Sequence, residues 1–295
     1  AAMTTSGPGG PTGVIHDIGY RRYEGVRQGR RHAFAALTLH GLRAAFGLGR
    51  PARAKLMPFL LAATMMLPAV VSLAVLALAK ERVLGYTGYV ANMQTVVAIF
   101  LAAQSPVLVS LDLRFRVLPL YLSRPVTVLD YVGAKLLALT TALFALLATP
   151  LTVMYLGELL IDPPGPPLTG EYLANLGGAV GYAVLLACLG LALAAATPRR
   201  GLGVASVIAV YVLSAGVSGV LFGLMDLLGN DTAARLALLL NPFFLVDGVQ
   251  VALFDTAPAN GVGYPAGPVA PLGYLVLVAR RALALVLRYR KAATS

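Results

Sequence analysis

The sequence predicts an all-α protein that crosses a membrane with six helices. Hydrophobic residues make up 58% of the 295-residue chain, charged residues make up only 12%, and the mean hydropathy is +0.80. Several uncharged windows are long enough to cross about 30 Å of hydrocarbon as helices. The 23 Lys and Arg flank these windows in a pattern that a single orientation explains. A soluble chain of this length would not contain several such windows.

A basic segment precedes every apolar window. We interpret residues 1–33 as a flexible segment in the cytoplasm, and its first residues lack the apolar core of a signal peptide. The arginines of IGYRRYEGVRQGRR, at residues 18–31, could indicate a nucleic-acid site. Attraction to anionic lipid explains basic residues beside a membrane more simply, so we expect no nucleic-acid partner.

An interfacial helix is predicted just before the first window. In TLHGLRAAFGLGRPARAKL, residues 38–56, apolar and basic side chains fall broadly on opposite sides of a helix. We expect this amphipathic helix to lie along the inner face of the membrane and to break between Arg50 and Pro51, because proline disrupts a helix interior. The alternative is a basic linker that only helps to orient the chain.

The membrane domain is predicted over residues 34–291, followed by a tail at 292–295. Its spans are placed at about 57–79, 89–111, 132–157, 172–197, 203–225 and 266–287. Residues 236–254 also have the length of a span, but Asn241 and Pro242 interrupt them. A seventh span would place the cations of the C-terminal end outside, so we expect an extracellular re-entrant pair of short helices instead.

This arrangement places both termini in the cytoplasm. All of the 23 Lys and Arg except Lys80, Arg82 and Arg235 then lie on the cytoplasmic side. Basic residues that flank spans stay on that side of a membrane. The charge pattern therefore supports six spans rather than seven.

The predicted spans lack the residues that would carry catalysis. His16, His32 and His40 all precede the first span, so they cannot form a catalytic or metal-binding cluster inside the membrane. Cys188, the single cysteine, lies in an apolar run, as is typical of a packing residue. No GxxxxGK[ST] motif occurs, so a P-loop is excluded. We expect this chain alone to have no enzyme activity, no metal and no bound cofactor.

The stretch LRFRVLPLYLSRPV, residues 113–126, separates two apolar windows on the predicted cytoplasmic side. Its interleaved apolar and basic residues predict a short amphipathic helix at the membrane interface. Pro125 disfavours helix at Arg124, and Thr127 with Asp130 makes a capping box that starts the next helix. The alternative is an ordinary loop whose arginines only fix the topology.

With the residues that follow it, this stretch resembles a known family. LRFRVLPLYLSRPVTVLDYVGAKLLA is similar to the segment between the second and third spans of ABC-2 type transporter permeases, the membrane subunits of type V-like ABC exporters. The matching residues are Arg124, Pro125, Val126, Tyr131, Gly133 and Lys135. Val117, Thr127 and Ala134 differ from the residues that are usual at those positions. The order of elements over residues 30–291 also resembles the family.

The resemblance implies a function and partners. The chain would be the permease subunit of an ATP-driven exporter in the bacterial cytoplasmic membrane, moving an amphiphilic or hydrophobic substrate out of the cytoplasm or the inner leaflet. It would pair with a second permease subunit, identical or not, and with two copies of an ATP-binding subunit that holds ATP and Mg. Residues 113–126 would be the coupling helix that rests on that subunit.

The implied ATPase-coupling residues are Asp112, Arg114, Phe115, Arg116, Leu118, Leu120, Tyr121, Arg124, Pro125, Arg199 and Arg200. The last two belong to a short connection that a plain tight turn explains equally well. The alternative function is an ATP-independent secondary transporter or flippase. Ion-coupled carriers usually place carboxylates near mid-membrane, and the predicted spans two to five contain none there.

Further polar and small residues in the spans have two interpretations each. The candidate pathway residues on spans two and five, which could instead form helix–helix hydrogen bonds, are Gln94, Thr95, Gln104, Ser105, Tyr211 and Ser214. The glycines spaced for close helix packing, within the chain or between subunits, are Gly177, Gly181, Gly219 and Gly223. Arg280 and Arg281 lie inside the sixth span and either snorkel to the headgroups or face a hydrated vestibule.

Overall fold

The computed structural model describes residues 25, 29–115, 117–123, 125–161, 165–197 and 199–294. Within these ranges the chain forms helices and no strand, which confirms the all-α class. The helices are α1 (Arg30–Ala45), α2 (Ala52–Ala79), α3 (Tyr86–Asn92), α4 (Gln94–Arg114), α5 (Leu118–Leu122), α6 (Val128–Ile161), α7 (Thr169–Ala196), α8 (Arg200–Leu227), α9 (Asp231–Leu238), α10 (Pro242–Phe254) and α11 (Val269–Thr294).

Six of the described helices are long and apolar enough to cross a membrane, namely α2, α4, α6, α7, α8 and α11. This number confirms the prediction of six candidate spans. We call the end of the bundle that contains α1 and α5 the basic end, and the end that contains α3, α9 and α10 the opposite end. Among the described cations, Lys80, Arg82 and Arg235 are the ones at the opposite end.

Helices α6 and α7 form the centre of the bundle. Leu139, Leu143 and Leu147 of α6 and Leu185 of α7 are completely buried. Helix α7 also packs against α4, α8, α10 and α11. In contrast, α2, α8 and α11 leave most of their apolar surface exposed. These three helices therefore form the outer face of the bundle.

The connection into the first span differs from the prediction. Helix α1 ends at Ala45 and α2 begins at Ala52, so the predicted break between Arg50 and Pro51 is present but already begins at Phe46. The chain turns at Gly47 and Gly49, whose φ angles are 65° and 80°. Residues with a Cβ rarely adopt this backbone conformation. Helix α1 therefore ends just ahead of these two glycines, several residues before the proline.

The second span begins later than predicted. A turn at Met93 separates α3 from α4, which begins at Gln94 rather than at residue 89. Helix α3 is fixed to α2 by the Tyr89 hydroxyl, which donates to the Met65 carbonyl at 2.6 Å. The buried tyrosine therefore holds α3 as a separate short helix at the opposite end.

The remaining spans begin and end within a few residues of the prediction, apart from the end of the last one. Two helices, α11 and α1, extend beyond their predicted limits. Helix α11 continues to Thr294, past the predicted limit at residue 287 and through most of the predicted tail. Helix α1 already begins at Arg30, inside the segment that is predicted to be flexible over residues 1–33.

The short helices α9 and α10 are bent by 111° relative to each other. The Asn241 side chain accepts a hydrogen bond from the Phe243 N–H at 3.0 Å, which caps α10. Pro242 occupies the first turn of α10, where its missing N–H costs nothing. Helix α10 packs on α7 and α11. The bend therefore falls at the Asn-Pro pair that the sequence marked as an interruption.

Candidate functional site

The segment between α4 and α6 lies at the basic end. Helix α5 is about one turn long, and α6 begins just after Thr127. The Thr127 N–H donates to Asp130 Oδ2 at 2.9 Å, and the Asp130 N–H donates to Thr127 Oγ1 at 3.2 Å. This reciprocal pair confirms the predicted capping box. Arg116 and Arg124, two of the predicted coupling residues, lie outside the described residues.

A largely buried ion pair joins the end of α4 to the beginning of α6. Lys135 Nζ lies 2.8 Å from Asp112 Oδ2, and the two side chains are only 10% and 18% exposed. The Tyr131 hydroxyl donates to the same carboxylate oxygen. Hydrogen bonds to ionised groups are strong where water is excluded. The two helix ends that flank α5 are therefore held together.

Three tyrosines extend this contact to α5 and to the last helix. The ring centroid of Tyr131 lies 5.3 Å from that of Tyr121 in α5 and 5.4 Å from that of Tyr289 in α11. Aromatic pairs of this kind contribute about 0.5–1.5 kcal/mol each beyond the area they bury. A helix as short as α5 is not stable alone, so these contacts keep it in place.

An ion pair connects α1 to the start of α6. Arg30 Nε and Nη2 donate to the two carboxylate oxygens of Asp130 at 2.7 and 2.8 Å. The same carboxylate caps α6, so one side chain serves both contacts. This hydrogen bond raises the pKa of Arg30 above its usual value. Sequence reasoning missed the pair because 100 positions separate its members.

A cleft of about 460 Å³ opens between α1 and the segment that carries α5. His32 and His40 of α1 are on one wall, and Tyr121, Pro125 and Val126 are on the other. The sequence predicts neither a catalytic nor a metal-binding role for these histidines within the membrane. Their place in this cleft could not be read from the sequence, because it depends on how α1 packs against α6.

The predicted coupling residues divide into an outer group and an inner group. Phe115 and Leu120 are 65% and 71% exposed, and the Arg114 guanidinium lies 5.6 Å from the Phe115 ring centroid. Leu118 is 1% exposed, and Asp112 is occupied by its ion pair. The outer group can contact another molecule, whereas the inner group fixes the segment to the bundle.

Arg199 and Arg200 lie exposed at the basic end, at the start of α8. The positive end of the helix dipole disfavours cations at a helix N-terminus. The stability of α8 therefore does not account for these two arginines. Their exposure is compatible with the contact to another subunit that the sequence predicts.

The predicted pathway residues occupy two different environments. Thr95 Oγ1 and the Tyr211 hydroxyl share a hydrogen bond of 2.8 Å that links α4 to α8, and Thr95 is exposed. The Ser214 hydroxyl donates to the Tyr211 carbonyl of its own helix at 3.0 Å. The remaining predicted pathway residues have buried or partly buried side chains in α4, namely Gln94, Gln104 and Ser105.

The two glycine pairs also differ in their surroundings. A Cβ at Gly177 or Gly181 would lie 3.1 or 3.2 Å from side chains of α10. Packing within the chain therefore explains this pair. Within the described part of the chain, no atom lies within 4 Å of a Cβ built at Gly219 or Gly223. A contact between subunits stays the prediction for the second pair.

A second polar network lies at the opposite end. Glu158, near the end of α6, is 4% exposed, and it accepts hydrogen bonds from Arg82 and from the Tyr86 hydroxyl at 2.6 Å each. Burial, together with the hydrogen bond to Glu158, raises the pKa of Tyr86. No sequence pattern predicts this network, because its three members belong to separate elements.

The described residues contain no group of three His, Cys, Asp or Glu side chains that could hold a metal ion. Neither a protein-family model nor a curated protein matches the chain. What the basic end offers chemically is therefore a surface held by ion pairs and aromatic contacts, with exposed arginine and apolar side chains.

Proposed function

We propose that this chain is the membrane subunit of an ATP-driven exporter of the ABC-2 type. The observation that carries the proposal is the fixed surface at the basic end. Leu120 of α5 is exposed, where a partner could contact it. The segment that carries α5 is attached to α1, α4 and α6 by the Arg30–Asp130 pair, the Lys135–Asp112 pair and the Tyr121–Tyr131 contact. A loop that only set the topology would need none of these contacts.

The distribution of charge supports an orientation with the basic end in the cytoplasm. The cations at the opposite end are Lys80, Arg82 and Arg235, out of 23 Lys and Arg in the sequence. Cytoplasmic loops carry the excess of basic residues in multi-pass proteins. Both ends of the membrane domain then lie in the cytoplasm, where ATP is available, and the bent pair α9–α10 dips into the outer leaflet.

Energy would enter through a separate ATP-binding subunit, since the chain has no P-loop. Two such subunits, holding ATP and Mg, would lie under a pair of permease subunits. Their closure on ATP would press on the outer group of coupling residues, Arg114, Phe115 and Leu120. The capping box would pass this movement to α6, and the Lys135–Asp112 pair would pass it to α4.

The substrate path would run along the exposed face shared by α4 and α8. The Thr95–Tyr211 hydrogen bond is a polar feature of this face, beside exposed apolar residues such as Val212. Small polar groups in an apolar path suit an amphiphilic or hydrophobic substrate. A second permease subunit would close the path from the other side.

Copurification tests the proposal. The chain, solubilised from its native membrane, should retain an ATPase of about 25–35 kDa, the mass of one or two ordinary domains. Leu120→Ala should weaken this association by about tenfold, as expected for an exposed apolar anchor. Leu160→Ala is the matched control, because Leu160 is an exposed leucine at the opposite end.

Three results would contradict the proposal. The first is a chain that copurifies with no ATPase, and the second is an association to which Leu120 and Leu160 contribute equally. The third is transport that continues after ATP depletion, which would favour a secondary transporter or flippase.

A further inference from the structure

Two adjacent arginines, Arg280 and Arg281, lie in the middle of α11. The helix contains no Asp or Glu. A hydrogen bond near the C-terminal end of α11 fixes the position of this helix along the bundle. In this bond Arg288 Nε donates at 3.2 Å to the carbonyl of Ala195, which lies at the end of α7. At a rise of 1.5 Å per residue, the two arginines lie about 10–12 Å from that hydrogen bond, toward the middle of the bundle.

No carboxylate of the described chain neutralises these arginines. At the basic end, Asp112 is paired with Lys135 and Asp130 is paired with Arg30. In the ranges that the structure covers, no ion pair or hydrogen bond includes Arg280 or Arg281. An unneutralised arginine at the centre of a span costs about 2.5–3.5 kcal/mol. None of the ion pairs among the described residues supplies the counter-charge for Arg280 or Arg281.

Arg280 lies on the outer face of α11. Its neighbours one turn away on the same face, Val276 and Leu283, are more than half exposed, as are Leu272 and Leu287 further along. Arg281 is partly buried on the adjoining side of the helix. A guanidinium thus sits in the middle of an apolar stripe that faces away from the bundle, where lipid chains run in a membrane.

We propose that Arg280 and Arg281 bind the phosphate of an anionic phospholipid in the leaflet at the basic end. An arginine side chain extends several ångströms along the helix toward the headgroups, so the guanidinium groups approach the phosphate layer from their position in the hydrocarbon. Planar guanidinium groups bind phosphate through two parallel hydrogen bonds. The acyl chains of the same lipid cover the stripe that includes Leu283 and Leu287.

A phospholipid fits this face better than a protein partner. The leaflet on the cytoplasmic side is anionic and attracts basic residues near its surface. A second copy of the chain would bring the same carboxylates to the basic end, and Asp112 and Asp130 are already paired there. Lipid supplies both the negative charge and the apolar surface that the face requires. This inference rests on the proposed orientation, with the basic end in the cytoplasm, and does not depend on the proposed transport.

Lipid binding can be measured on the purified chain by native mass spectrometry. Dioctanoyl phosphatidylglycerol should bind, whereas dioctanoyl phosphatidylcholine and inorganic phosphate should bind at least tenfold more weakly. The double variant Arg280→Gln/Arg281→Gln should bind phosphatidylglycerol at least about tenfold more weakly, because several charge-assisted hydrogen bonds disappear. Folding should survive, since the change removes charge from the hydrocarbon.

The matched control is Arg50→Gln/Arg53→Gln, which removes the same charge from two exposed arginines of the basic end outside α11. This variant should keep its phosphatidylglycerol. Arg280→Lys/Arg281→Lys should bind at an intermediate level, because it keeps the charge and loses the two-bond geometry.

Four outcomes would overturn the inference. The first is equal binding of phosphatidylcholine, and the second is full retention of phosphatidylglycerol by the glutamine variant. The third is binding of inorganic phosphate as tight as that of the lipid, which would indicate a site for free phosphate. A change in oligomeric state without loss of lipid would point to a protein carboxylate and would equally refute the lipid site.

Discussion

Replacement of Lys135 by methionine tests whether charge holds the two helix ends beside α5. Methionine keeps the length and the apolar stem of the side chain but removes the ammonium group. The Asp112 carboxylate then stays largely buried with the Tyr131 hydroxyl as its described donor. Removal of one partner from a buried ion pair costs about 3–5 kcal/mol.

The lower end of this range applies, because the Asp112 side chain is still 18% exposed and keeps one hydrogen bond. We therefore expect Lys135→Met to lower the free energy of unfolding by about 3 kcal/mol. At an unfolding entropy of about 2.1 cal/mol/K per residue, this corresponds in a chain of 295 residues to a fall in Tm of about 5 °C. The double variant Asp112→Asn/Lys135→Met removes both charges and should recover most of this loss.

The single cysteine provides the assay. Cys188 is buried, so a thiol-reactive dye labels the chain only as it unfolds and reports Tm in detergent without interference from other thiols. The double-mutant cycle isolates the coupling between the two side chains, which should exceed about 1 kcal/mol. A Tm for Lys135→Met within about 2 °C of the parent, or strictly additive losses in the double variant, would refute the reasoning.

Two further changes test contacts outside the basic end. Tyr86→Phe removes a hydrogen bond to the buried Glu158. We expect the free energy of unfolding, measured by the same dye assay, to fall by about 1.5–3 kcal/mol. An unchanged free energy of unfolding would mean that Arg82 alone satisfies the carboxylate. Gly178→Ala should be strongly destabilising, because its Cβ would overlap the Gln250 side chain, whereas Gly216→Ala meets open space in the described chain. Equal Tm values for the two alanine variants would contradict the packing of α7 on α10.

Local sequence was sufficient for the features that short-range physics controls. Hydropathy located the candidate spans, because a helix in hydrocarbon must be apolar over its whole length, and the distribution of basic residues reduced their number from seven to six. The spacing of Thr127 and Asp130 predicted the capping box, and the Asn241 and Pro242 pair predicted the break between α9 and α10. Each of these depends on residues within a few positions of one another.

Contacts between distant residues were beyond the sequence. The Arg30–Asp130 pair joins a segment interpreted as a flexible tail to the cap of α6, and nothing in either segment indicates the other. The start of α1 was missed for the same reason, since packing against α6 stabilises it. Among the predicted coupling residues, only the tertiary structure separates the buried Leu118 from the exposed Leu120.

Helix α6 connects the two polar networks of the bundle. Asp130 and Lys135 lie in its first turns, and Glu158 lies near its other end. From Asp130 to Glu158 the helix is about 42 Å long at 1.5 Å per residue. If a partner at the basic end tilts α6 as a rod by about 5°, the Glu158 end moves by about 4 Å.

A displacement of that size exceeds the tolerance of a hydrogen bond. The Arg82–Glu158 contact, which is 2.6 Å long, would then break, or Arg82 would move with Glu158 and shift the segment before α3. Under the proposed function, pressure on α5 thus reaches the opposite end without any continuous chain of side chains between the two networks. Glu158→Gln should therefore change the coupling of ATP hydrolysis to transport while leaving ATPase association intact, and unchanged coupling would show that the two ends are not connected through α6.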